Sequence, residues 1–305
     1  MKFQTNFSNS SLYKKKVELL KEVIDSLPKY KKQLDQQILC DYHGEQLCFS
    51  TRDNTLREDF SRIIPSNWIK EKLDNPHSIL IFSPVDFGIS IEEWQDEPSQ
   101  DCFIDPLQKS AIQRDFISYQ ISENETILIC SNRLDDGLNN FLRWFLPRRL
   151  LKRDILVFHS SCVIENEKAK LFLGHSGAGK STMVSLREDR KHLSDDMNLI
   201  IKKNGKFYAQ AGAIGGLFFD KVDYSMLYPI ESFSWLIQDT FNESRALKTS
   251  KAYIKAMVSV SNVFWESLED DQTKKIMNSV QDITKNIKFF ELHFTKSKEV
   301  WNYVD

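Results

Sequence analysis

The chain has 305 residues and a mass of 35.7 kDa, with 41% hydrophobic and 28% charged residues, enough for one large globular domain or two modest ones. Its 41 basic and 43 acidic residues leave a formal charge of −2, which speaks against nucleic acid as a partner, because affinity for a phosphate backbone needs a clear basic excess. Five cysteines, Cys40, Cys48, Cys102, Cys130 and Cys162, form no C-x-x-C pair, and no apolar run approaches the roughly 20 residues of a spanning helix, so a disulfide framework, a zinc site and a membrane span are disfavoured.

The first ten residues, MKFQTNFSNS, lead into charged sequence rather than an apolar signal core, and the expectation is a reduced, cytoplasmic protein. Residues 11–38 then place Val17, Leu20, Ile24 and Leu27 on one helical face, with Pro28 as a break or kink. A basic amphipathic membrane helix is one reading. A helix packed on its own domain is favoured, because Glu18, Glu22 and Asp25 interrupt the basic face.

From Gln37 to Cys130, short apolar strings such as SILIFS and ETILICS alternate with Pro, Asn and Asp clusters, which predicts short strands. Residues 135–153, DDGLNNFLRWFLPRRLLKR, predict a helix interrupted near Pro147. Its terminal basic cluster, Arg148, Arg149, Lys152 and Arg153, reads either as a nucleotide contact or as a solvated helix end.

ILVFHSSCVI, a polar turn at Glu165 to Lys168, and AKLFLG predict a β-hairpin whose second strand runs directly into GHSGAGKS. STMVSLREDRK then predicts a helix, and MNLIIKKNGKFYAQA a second hairpin turning at Asn204-Gly205. From Tyr224 onward the chain reads as mostly helical until FFELHF, a last strand.

Gly174 to Ser181 fits G-x-x-x-x-G-K-[ST] without a mismatch, between a predicted strand and a predicted helix, as a phosphate-binding loop requires. Only ten glycines occur in the chain, and three fall within the six positions 174–179. The expected cradle is Gly174, His175, Ser176, Gly177, Ala178, Gly179, Lys180, Ser181 and Thr182. Gly177 and Gly179 turn backbone N–H groups toward the β-phosphate of ATP, Lys180 neutralises the β- and γ-phosphates, and the Ser181 hydroxyl is a ligand for Mg²⁺.

The pair Asp195-Asp196 begins only fifteen residues after Lys180. A helix of about eleven residues climbs roughly 16 Å, and a return of three or four extended residues covers about 10 to 13 Å, so the two carboxylates fall beside the loop. One carboxylate near a metal and one able to take a proton from a hydroxyl are what phosphoryl transfer asks for. An exposed acidic turn is the competing reading.

With FHSSCVIENEKAKLFLGHSGAGKST and HLSDDMNLI together, residues 135–305 resemble the HPr kinase/phosphorylase-like branch of P-loop proteins, related to ATP-dependent phosphoenolpyruvate carboxykinases. The resemblance implies Asp195 as the base for the acceptor hydroxyl and Asp196 as the metal-side carboxylate, and it matches His159 to a histidine preceding the loop. As a residue in an apolar strand, His159 reads rather as a packed core histidine. Arg245 is a weak further candidate for stabilising charge on the transferring phosphoryl group; a surface ion pair is its alternative. Tyr208 to Gly216, YAQAGAIGG, lacks the charged residues that the resembled enzymes carry there, which separates this chain from HPr as substrate and from reverse phosphorolysis.

The expected fold is therefore α/β: a P-loop kinase core with a mixed, hairpin-rich sheet over 135–305, preceded by a helical segment, 1–38, and a small α/β segment, 39–134. The expected activity is ATP-dependent transfer to a hydroxyl, a serine of a protein or peptide. A nucleotide-binding regulatory protein without transfer and a small-molecule kinase remain the alternatives, and the resemblance leaves a homo-oligomer open.

Overall fold

The computed structural model describes residues 11–52, 60, 64–95, 103–104, 109–131, 137–187, 190–212, 224–260 and 268–304. The chain divides into two compact units, Met1–Phe145 and Leu146–Asp305, and each is built on its own mixed sheet.

The first unit runs α1 (Ser11–Asp25), α2 (Leu27–Lys31), β1 (Gln36–Tyr42), β2 (Glu45–Thr51), β3 (Ile69–Lys70), β4 (His77–Phe82), α3 (Ile91–Trp94), β5 (Phe103–Ile104), β6 (Ser110–Ile112), β7 (Phe116–Ser122) and β8 (Glu125–Cys130). Its strands lie in the order β3, β1, β2, β4, β8, β7, β6, β5. Strand β4 is parallel to both neighbours, and the other pairs are antiparallel.

Helix α1 lays Leu19, Leu20 and Val23 on the sheet residues Leu80, Phe82, Ile117, Ile127 and Ile129, with Val17, Ile24 and Leu27 around them. The amphipathic face is thus spent on the helix's own domain. Even the basic run is drawn in: Lys16 is buried, its Nζ donates to the carbonyls of Gln113 and Arg114, and it lies 4.5 Å above the Trp94 ring. No helix among the described residues is long and apolar enough to cross a membrane. Cys40, Cys48, Cys130 and Cys162 are free and buried, and burial pushes the thiols of Cys40 and Cys130 up to about 12.

Helix α4 (Asn139–Leu151) runs through Pro147 rather than stopping there, and the boundary between the units falls within it. The second unit continues with β9 (Ile155–Glu165), β10 (Lys168–Leu173), α5 (Lys180–Ser185), β11 (His192–Ser194), β12 (Met197–Lys203), β13 (Lys206–Ala211), β14 (Tyr228–Gln238), β15 (Glu243–Ala246), α6 (Thr249–Ser259), α7 (Asp270–Asn286) and β16 (Lys288–Phe294). Both expected hairpins form: β9 and β10 turn at Asn166-Glu167, and β12 and β13 at Asn204-Gly205, with positive φ at Asn166, Glu167 and Asn204.

Strand β9 is shared, its second half pairing with β10 and its first half with β12, while β14 touches β13, β10 and β16. Strand β10 therefore lies between antiparallel β9 and parallel β14, and the chain leaves β10 at the carboxyl end of β14.

Two expectations fail here. Residues 228–238 form a long strand, not a helix. Phe233 and Trp235 pack toward Phe289 and Phe158 on one face and Leu236 toward Phe172, Leu292 and Phe294 on the other, and a strand covered on both faces loses the alternation that identifies strands. The helix after the glycine loop is also short, ending at Ser185 rather than after about eleven residues. Arg187 and Arg190, which a longer helix would include, instead lie 3.9 and 3.4 Å from the Glu165 carboxylate, with the Arg187 guanidinium over Trp301.

Candidate functional site

Between Leu173 at the end of β10 and Lys180 at the start of α5, the chain makes the glycine loop. Gly177 and Gly179 have φ of 76° and 103°, where a Cβ meets the neighbouring carbonyl oxygen. At Gly179 close packing adds a second constraint, since a Cβ there would stand 2.6 Å from Cζ of Phe294. The Gln238 side chain at the end of β14 donates to the Gly177 carbonyl at 2.7 Å, and the His175 ring meets the Trp235 ring edge to face, 5.0 Å away. The loop is thereby pinned from β14 and β16.

Gly179 caps α5 without a side-chain acceptor, and His175, Ser176 and Gly177 are exposed. Amides at a helix start with no side chain capping them, together with the positive end of the helix dipole, attract an anion. Lys180 is only 7% exposed; its Nζ donates to the carbonyls of Gly174 and His175 at 3.0 and 3.1 Å. Burial lowers its pKa, and the negative charge of Asp196 pulls the other way. Ser181 and Thr182 come next, half-buried, in the first turn of α5.

The Asp195-Asp196 turn joins β11 to β12, and both of these strands pair with β9. Two small residues of β9 hold the arrangement together. Ser160 pairs with Leu173 and donates its N–H to the Asp196 carbonyl at 2.8 Å, while the Ser161 hydroxyl donates to the Lys180 carbonyl at 2.8 Å. Asn198 donates to Ser160 Oγ and to its carbonyl at 3.1 and 2.6 Å, and Ser194 Oγ accepts from the amides of Asp196 and Met197. The short helix and the three-residue return of β11 thus bring the turn to the loop by register with one shared strand.

Asp195 is 4% exposed, whereas the Asp196 side chain is 17% exposed, with Oδ1 3.2 Å from Nε2 of His159. His159 is not the core histidine that the apolar strand suggests, since 41% of its side chain is exposed. Lys180, Asp196 and His159 come together at the mouth of the loop.

Arg245 does not join them. It lies on β15, 57% exposed, with Nε and one terminal nitrogen donating to the two oxygens of Glu243 at 2.7 and 2.5 Å. Of the uncharged stretch Tyr208 to Gly216, residues 213–216 lie outside the described residues. Ser160, Ser161, Asn198, Gln238 and Trp235 do not stand out in the sequence; the signal available is a pair of serines inside an otherwise apolar strand.

The donor set suits a polyphosphate with a hard cation. The loop keeps Cβ atoms away at Gly177 and Gly179, Lys180 carries a positive charge, and Ser181 and the two aspartates carry oxygens, the donor type that a hard cation takes.

A family model described as SynChlorMet cassette protein ScmC matches residues 142–305, more than half of the chain. The chain belongs to that family. Among solved structures, it is similar to the Hpr(Ser) kinase/phosphatase from Coxiella burnetii, at 14% identity and a TM-score of 0.22, over 30% of this chain and 70% of that one. A likeness of that size carries no argument. No curated protein matches.

Proposed function

We propose that this member of the ScmC family is an ATP-dependent phosphotransferase that passes the γ-phosphoryl group to a hydroxyl, a serine of a protein or peptide. The observation that carries the reading is Asp196, which stands in the electrostatic field of buried Lys180 and beside His159, at the mouth of a loop held open by Gly177 and Gly179. Serine as acceptor rests on the resemblance of the loop and SDD segments to HPr kinase-like proteins.

In this reading the loop amides and Lys180 hold the β- and γ-phosphates, and Lys180 gives up its bonds to the Gly174 and His175 carbonyls to do so. The acceptor hydroxyl loses its proton to a carboxylate while its oxygen bonds to the γ-phosphorus, and the bond from that phosphorus to the bridging oxygen breaks, leaving ADP. The resemblance assigns the base to Asp195. The greater exposure of Asp196 and its nearness to His159 favour Asp196 for that step, with His159 orienting the carboxylate, and leave Asp195 with Ser181 for the metal side. Mg²⁺, when bound, neutralises charge on the phosphate oxygens.

The test is to incubate the full chain with Mg²⁺ and γ-labelled ATP, with and without a serine-containing peptide library, and to monitor label transfer and free phosphate. Transfer that disappears in Asp196→Asn while ATP still binds is the expected result. Tight ATP binding with no transfer to any acceptor would replace the kinase with a nucleotide-sensing protein.

A further inference from the structure

Phosphoryl transfer places several negative charges at one point, and one lysine inside the loop is a modest counterweight when Asp195 and Asp196 stand close by. Arg245, the basic residue that sequence offers as a second cation, is engaged by Glu243 at an exposed strand. A different cation lies next to the loop.

Lys255, in the middle of α6, holds its ammonium 4.1 Å from the centroid of the Trp235 ring. Trp235 is buried and pairs in register with Leu173, the last residue before the loop, and its ring meets that of His175 within the loop at 5.0 Å. The ammonium and the His175 ring of the loop thus contact the same indole. Ala252 and Ala256, buried on the same helix, let α6 approach the sheet and fix the height of Lys255 above it.

Lys255 makes no ion pair with a carboxylate among the described residues. Resting a cation on an indole face keeps it partly desolvated while leaving its charge uncompensated, so little must be broken when an anion arrives. The neighbouring Lys251 is exposed and has no such ring beneath it among the described residues.

We propose that Lys255, parked on the Trp235 ring that also touches His175 of the glycine loop, is a second phosphate-binding cation, which moves from the ring to the terminal phosphate of the bound nucleotide. The proposal rests on the reading of Gly174–Ser181 as a nucleotide site and names a residue that the loop motif does not contain. Trp235 then serves as the resting place of the charge, and its emission changes when the ammonium leaves.

The test is calorimetric titration of the full chain with Mg²⁺-ATP, ADP and inorganic tripolyphosphate. It compares wild type with Lys255→Met, Lys255→Arg and Lys180→Ala, with thermal melts to match folding and tryptophan emission recorded in parallel. Lys255→Met is expected to weaken ATP and tripolyphosphate roughly tenfold and ADP by less, since a charge-assisted contact to one phosphate is lost, and Lys255→Arg to recover most of it. The ATP-induced change in emission should be absent in Trp235→Phe.

Wild-type affinity in Lys255→Met, alongside weakened binding in Lys180→Ala, would overturn the second cation and leave the loop reading intact. Equal losses in Lys255→Met and Lys255→Arg would also overturn it, by showing that shape rather than charge matters. Absence of ATP binding in the wild type would remove both readings together.

Discussion

Nε2 of His159 lies 3.2 Å from Oδ1 of Asp196, and the backbone makes this pairing hard to avoid, because His159 sits opposite Met197 in the β9–β12 ladder. The adjacent Ser160 takes the Asp196 carbonyl on its own N–H. In the proposed function, this carboxylate is the one that removes a proton from the incoming hydroxyl.

Asp196→Asn should therefore reduce phosphoryl transfer by about 10²- to 10⁴-fold, the usual worth of a general base, with ATP affinity within a few-fold of wild type. His159→Ala should lose less, since it orients the carboxylate rather than accepting the proton. Single-turnover rates with labelled ATP, measured beside binding affinities, separate the two effects. An inactive Asp195→Asn paired with an active Asp196→Asn would return the base to Asp195.

Lys180 predicts a pH dependence of binding. Burial holds its pKa below the ordinary 10.5 in the free protein, and a bound polyphosphate raises it again. Between the lowered and the ordinary value, nucleotide binding must take up a proton, so affinity falls as pH rises through that interval. The unfolded chain also binds more protons than the folded one there, so the nucleotide-free protein gains stability from this group as pH rises. Titrations at alkaline pH in buffers of different ionisation enthalpy measure the uptake directly, and a heat independent of buffer would contradict it.

The parts of this site that are legible in the sequence are those written locally. The glycine loop is eight consecutive residues, and the hairpins on either side announce themselves through Asn166-Glu167 and Asn204-Gly205. The hidden parts depend on register. Nothing near His159 in the chain tells that its ring faces Asp196, and the roles of Ser160 and Ser161 emerge from the pairing of β9 with β10, β11 and β12. Strand β14 escapes a sequence reading for a related reason: Phe233, Trp235 and Leu236 are buried on opposite faces, so their pattern has neither a clear twofold nor a helical period.

Arg245 offers a sharp contrast with Lys255. Its guanidinium is bidentate to Glu243 in solvent, which holds the Glu243 carboxyl below its usual range, and exposed pairs of this kind carry little energy. Arg245→Ala should leave ATP affinity, transfer rate and melting temperature near wild-type values. A tenfold loss of transfer with unchanged ATP affinity would show that Arg245 leaves Glu243 to reach the acceptor or the transferring group.

Two glycines of the loop should respond differently to the same added methyl group. At Gly177 a Cβ meets nothing within 4 Å apart from its own chain neighbours, so Gly177→Ala carries only the left-handed backbone strain, about 1 to 2 kcal/mol. At Gly179 the strain is joined by collision with the Phe294 ring, which packs among Phe172, Leu236 and Leu292 and has little room to retreat. Gly179→Ala should then cost about 2 to 4 kcal/mol and displace the start of α5, with loss of nucleotide binding. Phe294→Leu in the Gly179→Ala background should recover part of the stability, because it removes the colliding atoms while leaving the backbone strain. Denaturant melts of wild type, Gly177→Ala, Gly179→Ala, Phe294→Leu and the double variant measure this coupling, and equal losses at Gly177 and Gly179 would show that the loop moves away from Phe294 without cost.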